Sequence, residues 1–138
     1  MKELFSDVPN GRRSLMARVK SKDSKPELAA RRSAHALGHR FRLHRRDLPG
    51  TPDLVFPRLK KVIFVHGCFW HRHPGCSRTT SPKTRTDYWD DKFAENVARD
   101  AARLRELEAL GWKTLVVWEC ETFDREALSK RLSAFLGG

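Results

Sequence analysis

The eleven residues His66-Gly67-Cys68-Phe69-Trp70-His71-Arg72-His73-Pro74-Gly75-Cys76 hold two cysteines, three histidines and two large aromatics. Thiolates and imidazoles at this density are the donors of a four-coordinate structural zinc site. Cys68, Cys76 and the distant Cys120 supply three thiolates, and either His71 or His73 supplies the fourth ligand. The spacing Cys68-x4-His73-x2-Cys76 leaves more room for loop closure than a set built on His71. The plainer alternative makes Cys68 and Cys120 buried thiols, which pack as small hydrophobes. Their positions at strand ends and in a His-rich loop favour a metal. Three cysteines are an odd number, which argues against a closed disulfide framework and for a reducing compartment.

A second chemistry sits close by. Asp53 follows Pro52 and heads the strand-like run Leu54-Val55-Phe56. A carboxylate at a strand end is a natural ligand for a hard cation such as Mg²⁺ beside a phosphodiester. His66, and whichever of His71 and His73 does not bind zinc, can take a proton or steady a developing negative charge near neutral pH. Taken singly, Asp53 reads as a turn-forming aspartate and His66 as a hydrogen-bonded strand-end histidine. Brought together across a sheet, they read as a hydrolytic site.

The elements that must position these groups follow from patterning. Ser24-Lys25-Pro26-Glu27 fits a capping box, which predicts a helix to Leu37 that stops at Gly38. Strands are expected over about Phe41–His44, Asp53–Phe56 and Val62–Val65, and a basic turn joins the last two. A polar loop from Ser77 to Arg85 leads to a long helix from Thr86. Trp89, Phe93, Val97, Leu104, Leu107 and Leu110 should form its buried face. Gly111 ends it. Thr114–Trp118 is apolar on both faces, which predicts a central strand, parallel to a neighbour. Cys120 stands just past its end, and Asp124 caps a last helix that buries Leu128, Leu132, Phe135 and Leu136. The expected class is α/β: one domain with a mixed central sheet flanked by helices.

The 138 residues carry 28 Lys and Arg against 17 Asp and Glu, a net charge of +11 and a pI near 10.2. Such an excess points to a polyanionic partner, nucleic acid above all. No apolar run is long enough for a spanning helix, and Met1–Ser6 lacks a signal-peptide core, so a membrane is not expected. Residues 1–13 read as a flexible basic arm and residues 14–138 as the domain proper.

A magnesium nuclease of this layout ordinarily carries a second acid and a lysine near the strand holding Phe64 and His66, and this chain has neither there. Several segments nonetheless resemble the very short patch repair DNA mismatch endonucleases. They are Leu48-Pro49-Gly50-Thr51-Pro52-Asp53, Val62 to His71, Thr84-Arg85-Thr86 with Trp89, Asn96-Val97 with Arg99-Asp100, and Leu110-Gly111-Trp112 with Val117-Trp118-Glu119-Cys120. The likeness spans about Met16 to the C-terminus.

The resemblance implies a restriction-endonuclease-like fold with a degenerate acid-acid-lysine motif. It implies an enzyme that nicks the T-containing strand at T:G mismatches left by deamination of 5-methylcytosine. It assigns Mg²⁺ to Asp53 and the backbone carbonyl of Val65, the general base to His71, and support of the phosphate or metal-bound water to His66. Glu27 approaches from the first helix. Zn²⁺ falls to Cys68, His73, Cys76 and Cys120. Phe69, Trp70 and Trp89 would wedge between base pairs, where a mismatch lowers the cost of unstacking. Double-stranded mismatched DNA is the expected partner, with mismatch-repair proteins beside it, for a monomer in the cytoplasm at the nucleoid. Two competing readings are a restriction-type endonuclease on fully paired DNA and a zinc-bearing DNA-binding protein without hydrolysis.

Overall fold

The computed structural model describes residues 24–137. The arm at residues 1–13 and its boundary with the domain lie outside the described residues. Helix α1 (Lys25–Ala36) starts where the Ser24 side chain accepts a hydrogen bond from the Glu27 amide at 3.4 Å. It ends at Leu37 and Gly38, whose φ of 87° closes the helix with a left-handed residue. Strands β1 (Arg42–Leu43), β2 (Leu54–Phe56) and β3 (Lys61–His66) follow. Helix α2 (Thr86–Ala109) then leads to β4 (Lys113–Trp118). A short 3₁₀ turn (Glu119–Phe123) and α3 (Arg125–Leu136) complete the described chain. Asp124 caps α3, its carboxylate accepting from the Glu126 and Ala127 amides at 3.1 Å each.

The sheet runs β1-β2-β3-β4, with antiparallel pairs at β1/β2 and β2/β3 and a parallel pair at β3/β4. Its mixed character matches the expected class. Side chains alternate between two cores. Leu54, Phe56, Ile63 and Val117 pack against Ala30 and Ala34 of α1 and Leu128, Leu132 and Leu136 of α3. Val55, Val62 and Phe64 face the other way, onto Leu107 of α2, Trp112 and Leu48. With helices on both faces, β2 and most of β3 are buried on both sides.

Three expectations need correction. Among the described strands β4 is an edge, not a centre. It is apolar on both faces because Leu115 and Val117 meet one core and Val116 the other. Val97 and Leu110 are exposed at 46% and 56%, since α2 lies on the sheet through Leu104 and Leu107, Phe93 packs on Phe69 instead, and those two positions have turned off the contact stripe. The strand expected over Phe41–His44 shrinks to Arg42–Leu43, both exposed. Phe41 packs instead on Phe56, and His44 bends away with φ of 48°.

Candidate active site and metal centre

The catalytic candidates gather at one end of the sheet, where β2 begins and β3 ends. Asp53 stands one residue before β2, and its Oδ2 accepts the Val65 amide at 2.7 Å. That hydrogen bond pins the carboxylate beside the last residues of β3. His66 closes β3 and is buried at 7% exposure. The His71 ring lies flat against it, centroids 3.9 Å apart and planes 8° apart. His71 Nδ1 in turn meets Asp100 Oδ2 of α2 at 2.6 Å. An ionised carboxylate only accepts, so this contact puts the proton on Nδ1 and leaves Nε2 with its lone pair.

A cleft of about 430 Å³ joins these groups. Asp53, Val65, His66, His71 and Asp100 line it, together with His44, Gly50 and three arginines, Arg46, Arg99 and Arg103. Gly50 has φ of 75°, and a Cβ there would stand 3.1 Å from Arg103 Cβ and 3.2 Å from Phe64. Glycine at this turn keeps the Asp53 segment close to α2.

Burial sets the electrostatics. It lifts the Asp53 carboxyl to about 7, helped by the neighbouring Glu27 charge and opposed by the Val65 hydrogen bond and by His44 and His71. Burial likewise drives His66 down to about 4, as does His71, while Asp100 pulls the other way. His66 is therefore neutral at physiological pH, which suits a ring stacked on a second imidazole. A buried carboxyl reluctant to ionise alone is a fitting place for a cation.

Glu27 is buried, and the capping box it was expected to complete is only half made. Its amide serves Ser24, but its Oε2 contacts His44 Nε2 at 3.0 Å and Arg31 at 3.2 Å. One carboxylate oxygen thus stays with the Ser24 hydroxyl at 3.5 Å while the other reaches His44, which lines the cleft. His44 Nε2 also lies 3.8 Å from Asp53 Oδ1.

The second centre lies past the ends of β3 and β4. The ligand atoms of Cys68, His73, Cys76 and Cys120 all fall within 4.8 Å of one another. Zn–S and Zn–N bonds of about 2.3 and 2.0–2.1 Å at tetrahedral angles separate S from N by about 3.6 Å. Here His73 Nδ1 lies 3.7 Å from Cys68 Sγ and 3.5 Å from Cys120 Sγ. Geometry thus groups His73, not His71, with the cysteines. Burial pushes the Cys68 thiol up to about 12 and raises Cys120 too, whereas the Arg78 amide lowers Cys76. A bound cation would hold all three as thiolates.

Known proteins resemble the chain over most of its length. The family model for DNA mismatch endonuclease Vsr matches residues 6–78. The chain is 53% identical over 128 residues to the type II nicking enzyme V.XorIIP of Xanthomonas oryzae pv. oryzae, covering 93% of each chain. It is 43% identical over 106 residues to the DNA mismatch endonuclease Vsr of Escherichia coli, covering 73% of this chain and 67% of that one. A type II nicking enzyme of Neisseria meningitidis, V.NmeAIP, is 39% identical over 119 residues, which are 86% and 84% of the two chains.

The chain belongs to the Vsr family of DNA mismatch endonucleases.

DNA is accordingly the substrate class, in keeping with the basic charge. Among the described residues no helix is long and apolar enough to cross a membrane. The wedge candidates of this Vsr-family chain are less isolated than their loop position suggested. Phe69 meets Phe93 of α2 edge-on at 5.4 Å and Trp70 at 4.8 Å. Trp70 meets Trp89 at 6.2 Å, and Trp89 lies over Phe93 at 5.8 Å. All three candidates remain half-buried, so each keeps an accessible face.

Sequence reasoning missed Asp100, His44 and the three cleft arginines as site members. Asp100 and Arg99 were visible only within a shared segment of α2, with no local motif to single them out. His44 was read as part of a regular strand, and only the left-handed turn of its backbone brings it to Glu27 and Asp53.

Proposed function

We propose that this chain nicks the T-containing strand of T:G mismatches produced by deamination of 5-methylcytosine, by Mg²⁺-dependent hydrolysis of one phosphodiester. The observation that carries the reading is the single cleft in which Asp53 faces the stacked His66–His71 pair, with arginines at its rim. Magnesium would be held by Asp53 and the Val65 carbonyl, and its chemistry there is Lewis-acid stabilisation of negative charge on a phosphate oxygen. His71 Nε2 takes the proton of the attacking water, while Asp100 holds Nδ1–H and so fixes the ring. Neutral His66 steadies the phosphate or the water from the neighbouring face. The water oxygen bonds to phosphorus, and the ester bond to the leaving sugar oxygen breaks. Arg46, Arg99 and Arg103 provide positive charge where the backbone enters.

Zinc at Cys68, His73, Cys76 and Cys120 clips the wedge loop to the turn after β4. Phe69, Trp70 and Trp89 enter between base pairs at the mismatch. The domain is of restriction-endonuclease type, works as a monomer in the cytoplasm at the nucleoid, and meets mismatch-repair proteins there. The distances at His73 support the zinc site, and the shared cleft supports the hydrolytic centre.

The test is a duplex with one T:G mismatch beside its fully paired control, each with magnesium and with magnesium omitted. Nicking of the T strand alone, dependent on Mg²⁺ and lost in Asp53→Ala while binding persists, supports the proposal. Equal cutting of paired DNA would mark a restriction-type enzyme. Binding without cutting in every mismatch context would leave a zinc-bearing DNA-binding protein.

A further inference from the structure

The cleft carries a nitrogen donor that the magnesium reading does not use. Glu27, His44 and Asp53 each present one donor atom, and the three lie within 4.8 Å of one another. His44 Nε2 stands 3.0 Å from Glu27 Oε2 and 3.8 Å from Asp53 Oδ1. Two ligands bound at right angles about 2.1 Å from one ion are separated by about 3.0 Å, and wider angles bring them towards 4 Å. His44 Nε2 thus has the spacing of a ligand that shares one ion with either carboxylate.

The site is also walled. The Glu27 and Asp53 side chains are exposed at 5% and 14%, and that of His44 at 19%. His44 lines the cleft while Glu27 lies deeper, so the imidazole stands between the inner carboxylate and the space a substrate would fill. Three different segments supply the donors: α1, the end of β1 and the start of β2. Turning His44 inward requires a left-handed backbone at φ of 48°, which a non-glycine residue adopts rarely.

We infer that His44 is a ligand of the catalytic cation, joining Asp53 and Glu27 in a nitrogen–oxygen donor set that binds Mn²⁺ and similar transition ions more tightly than Mg²⁺. This rests on the proposed function only in placing a divalent ion at Asp53. Magnesium takes oxygen donors and gives up water reluctantly, whereas imidazole suits first-row transition ions. A carboxylate–imidazole–carboxylate set therefore discriminates between cations that an all-oxygen set would treat more alike.

The experiment is direct binding to the full-length protein, with one equivalent of zinc present to occupy the cysteine group. Calorimetric titration with MnCl₂ and with MgCl₂ should give at least about tenfold tighter Mn²⁺ binding. His44→Gln should lose about tenfold in Mn²⁺ affinity and change Mg²⁺ affinity by less than about threefold. Pulsed electron paramagnetic resonance of Mn²⁺ on the parent protein should show coupling to a directly bound imidazole nitrogen, which His44→Gln abolishes. This readout on the parent does not depend on how the variant folds. Absence of nitrogen coupling in the parent overturns the inference, and so does its persistence in His44→Gln, which would assign the nitrogen to another histidine. Neither result touches the T:G nicking assay, so failure of the cation inference and failure of the function are separable.

Discussion

Asp53 and His66 form a pair whose proton accounts nearly cancel. For His66 the folded value, about 4, lies below the ordinary 6.5. The fold prefers the neutral ring, so its contribution is present above pH 6.5 and is lost as pH falls towards 4. For Asp53 the folded value, about 7, lies above the ordinary 3.8. The fold prefers the protonated acid, so that contribution is lost as pH rises towards 7. Between these limits the folded chain carries one proton on Asp53 while the unfolded chain carries one on His66, and the two slopes oppose each other. Asp53→Asn removes one side. With magnesium withheld, the unfolding free energy of the variant should rise relative to the parent by about 4 kcal/mol from roughly pH 4 to roughly pH 8. Denaturant titrations across this range check it, and a constant difference would show that Asp53 ionises freely in the fold. Asp100 is legible in the same terms. Asp100→Asn keeps the shape but no longer holds Nδ1–H against a charge, so the nicking rate should fall by about 100-fold or more with DNA affinity nearly unchanged. Single-turnover kinetics and a binding isotherm read the two quantities apart.

At the scale of elements, the loop of Phe69 and Trp70 is held by α2 through a cation. The Arg72 guanidinium lies 3.9 Å from the Phe93 ring centre and 5.6 Å from that of Phe69. It donates to the Thr80 carbonyl at 2.8 Å and the Ser81 hydroxyl at 3.1 Å. One side chain thus ties the aromatic loop to the helix and to the polar segment beyond. Arg72→Ala removes contacts worth about 1–2 kcal/mol. It should lower the preference for mismatched over paired duplex by about tenfold, with the metal content of the cysteine group unchanged. Competition binding and zinc analysis measure both. The strands and helices were readable from period and caps because those signals are local: Ser24, Gly38 and Asp124 work on their own neighbours. Asp53 stood out only in company: alone it reads as a turn-forming aspartate, and the histidines expected near it across the sheet turned the reading towards a cation ligand. The grouping of His73 with Cys68, Cys76 and Cys120 was readable only in part, since spacing favoured His73 without excluding His71. His44, Asp100 and Arg72 escaped because their partners are 17, 29 and 9 residues away in the bonds they make to Glu27, His71 and Ser81. Such contacts exist only once the sheet and α2 have assembled. The exposed Val97 and Leu110 mark the limit of helical periodicity, which describes a stripe but not how much of it a short sheet can cover.

For the molecule as a whole, a net charge of +11 makes the affinity for DNA a function of ionic strength. Each phosphate neutralised steepens the logarithmic salt dependence by about 0.9. A footprint of about six phosphates predicts a loss of about 10³-fold in affinity between about 50 and 200 mM salt. Anisotropy titrations with paired and mismatched duplexes should share this slope and differ in intercept, because base unstacking releases no counterions. A slope shallower than about −2 would place recognition on the aromatic wedge alone.

Trp118 lies between the two centres. Its indole stacks on His73 at 4.3 Å and receives the edge of His66 at 5.4 Å. A single fluorophore therefore touches both the cysteine group and the hydrolytic cleft. Protonated imidazoles and free thiols quench indole emission, whereas a bound closed-shell cation removes both quenchers. With Trp70, Trp89 and Trp112 replaced by phenylalanine, zinc addition should brighten the remaining emission, and acidification towards the titration of His66 should dim it. Unchanged emission in both titrations would mean that the indole is insulated from these rings. The molecule thus contains its own optical gauge of whether a cation sits in the cysteine group and whether its buried histidine is neutral.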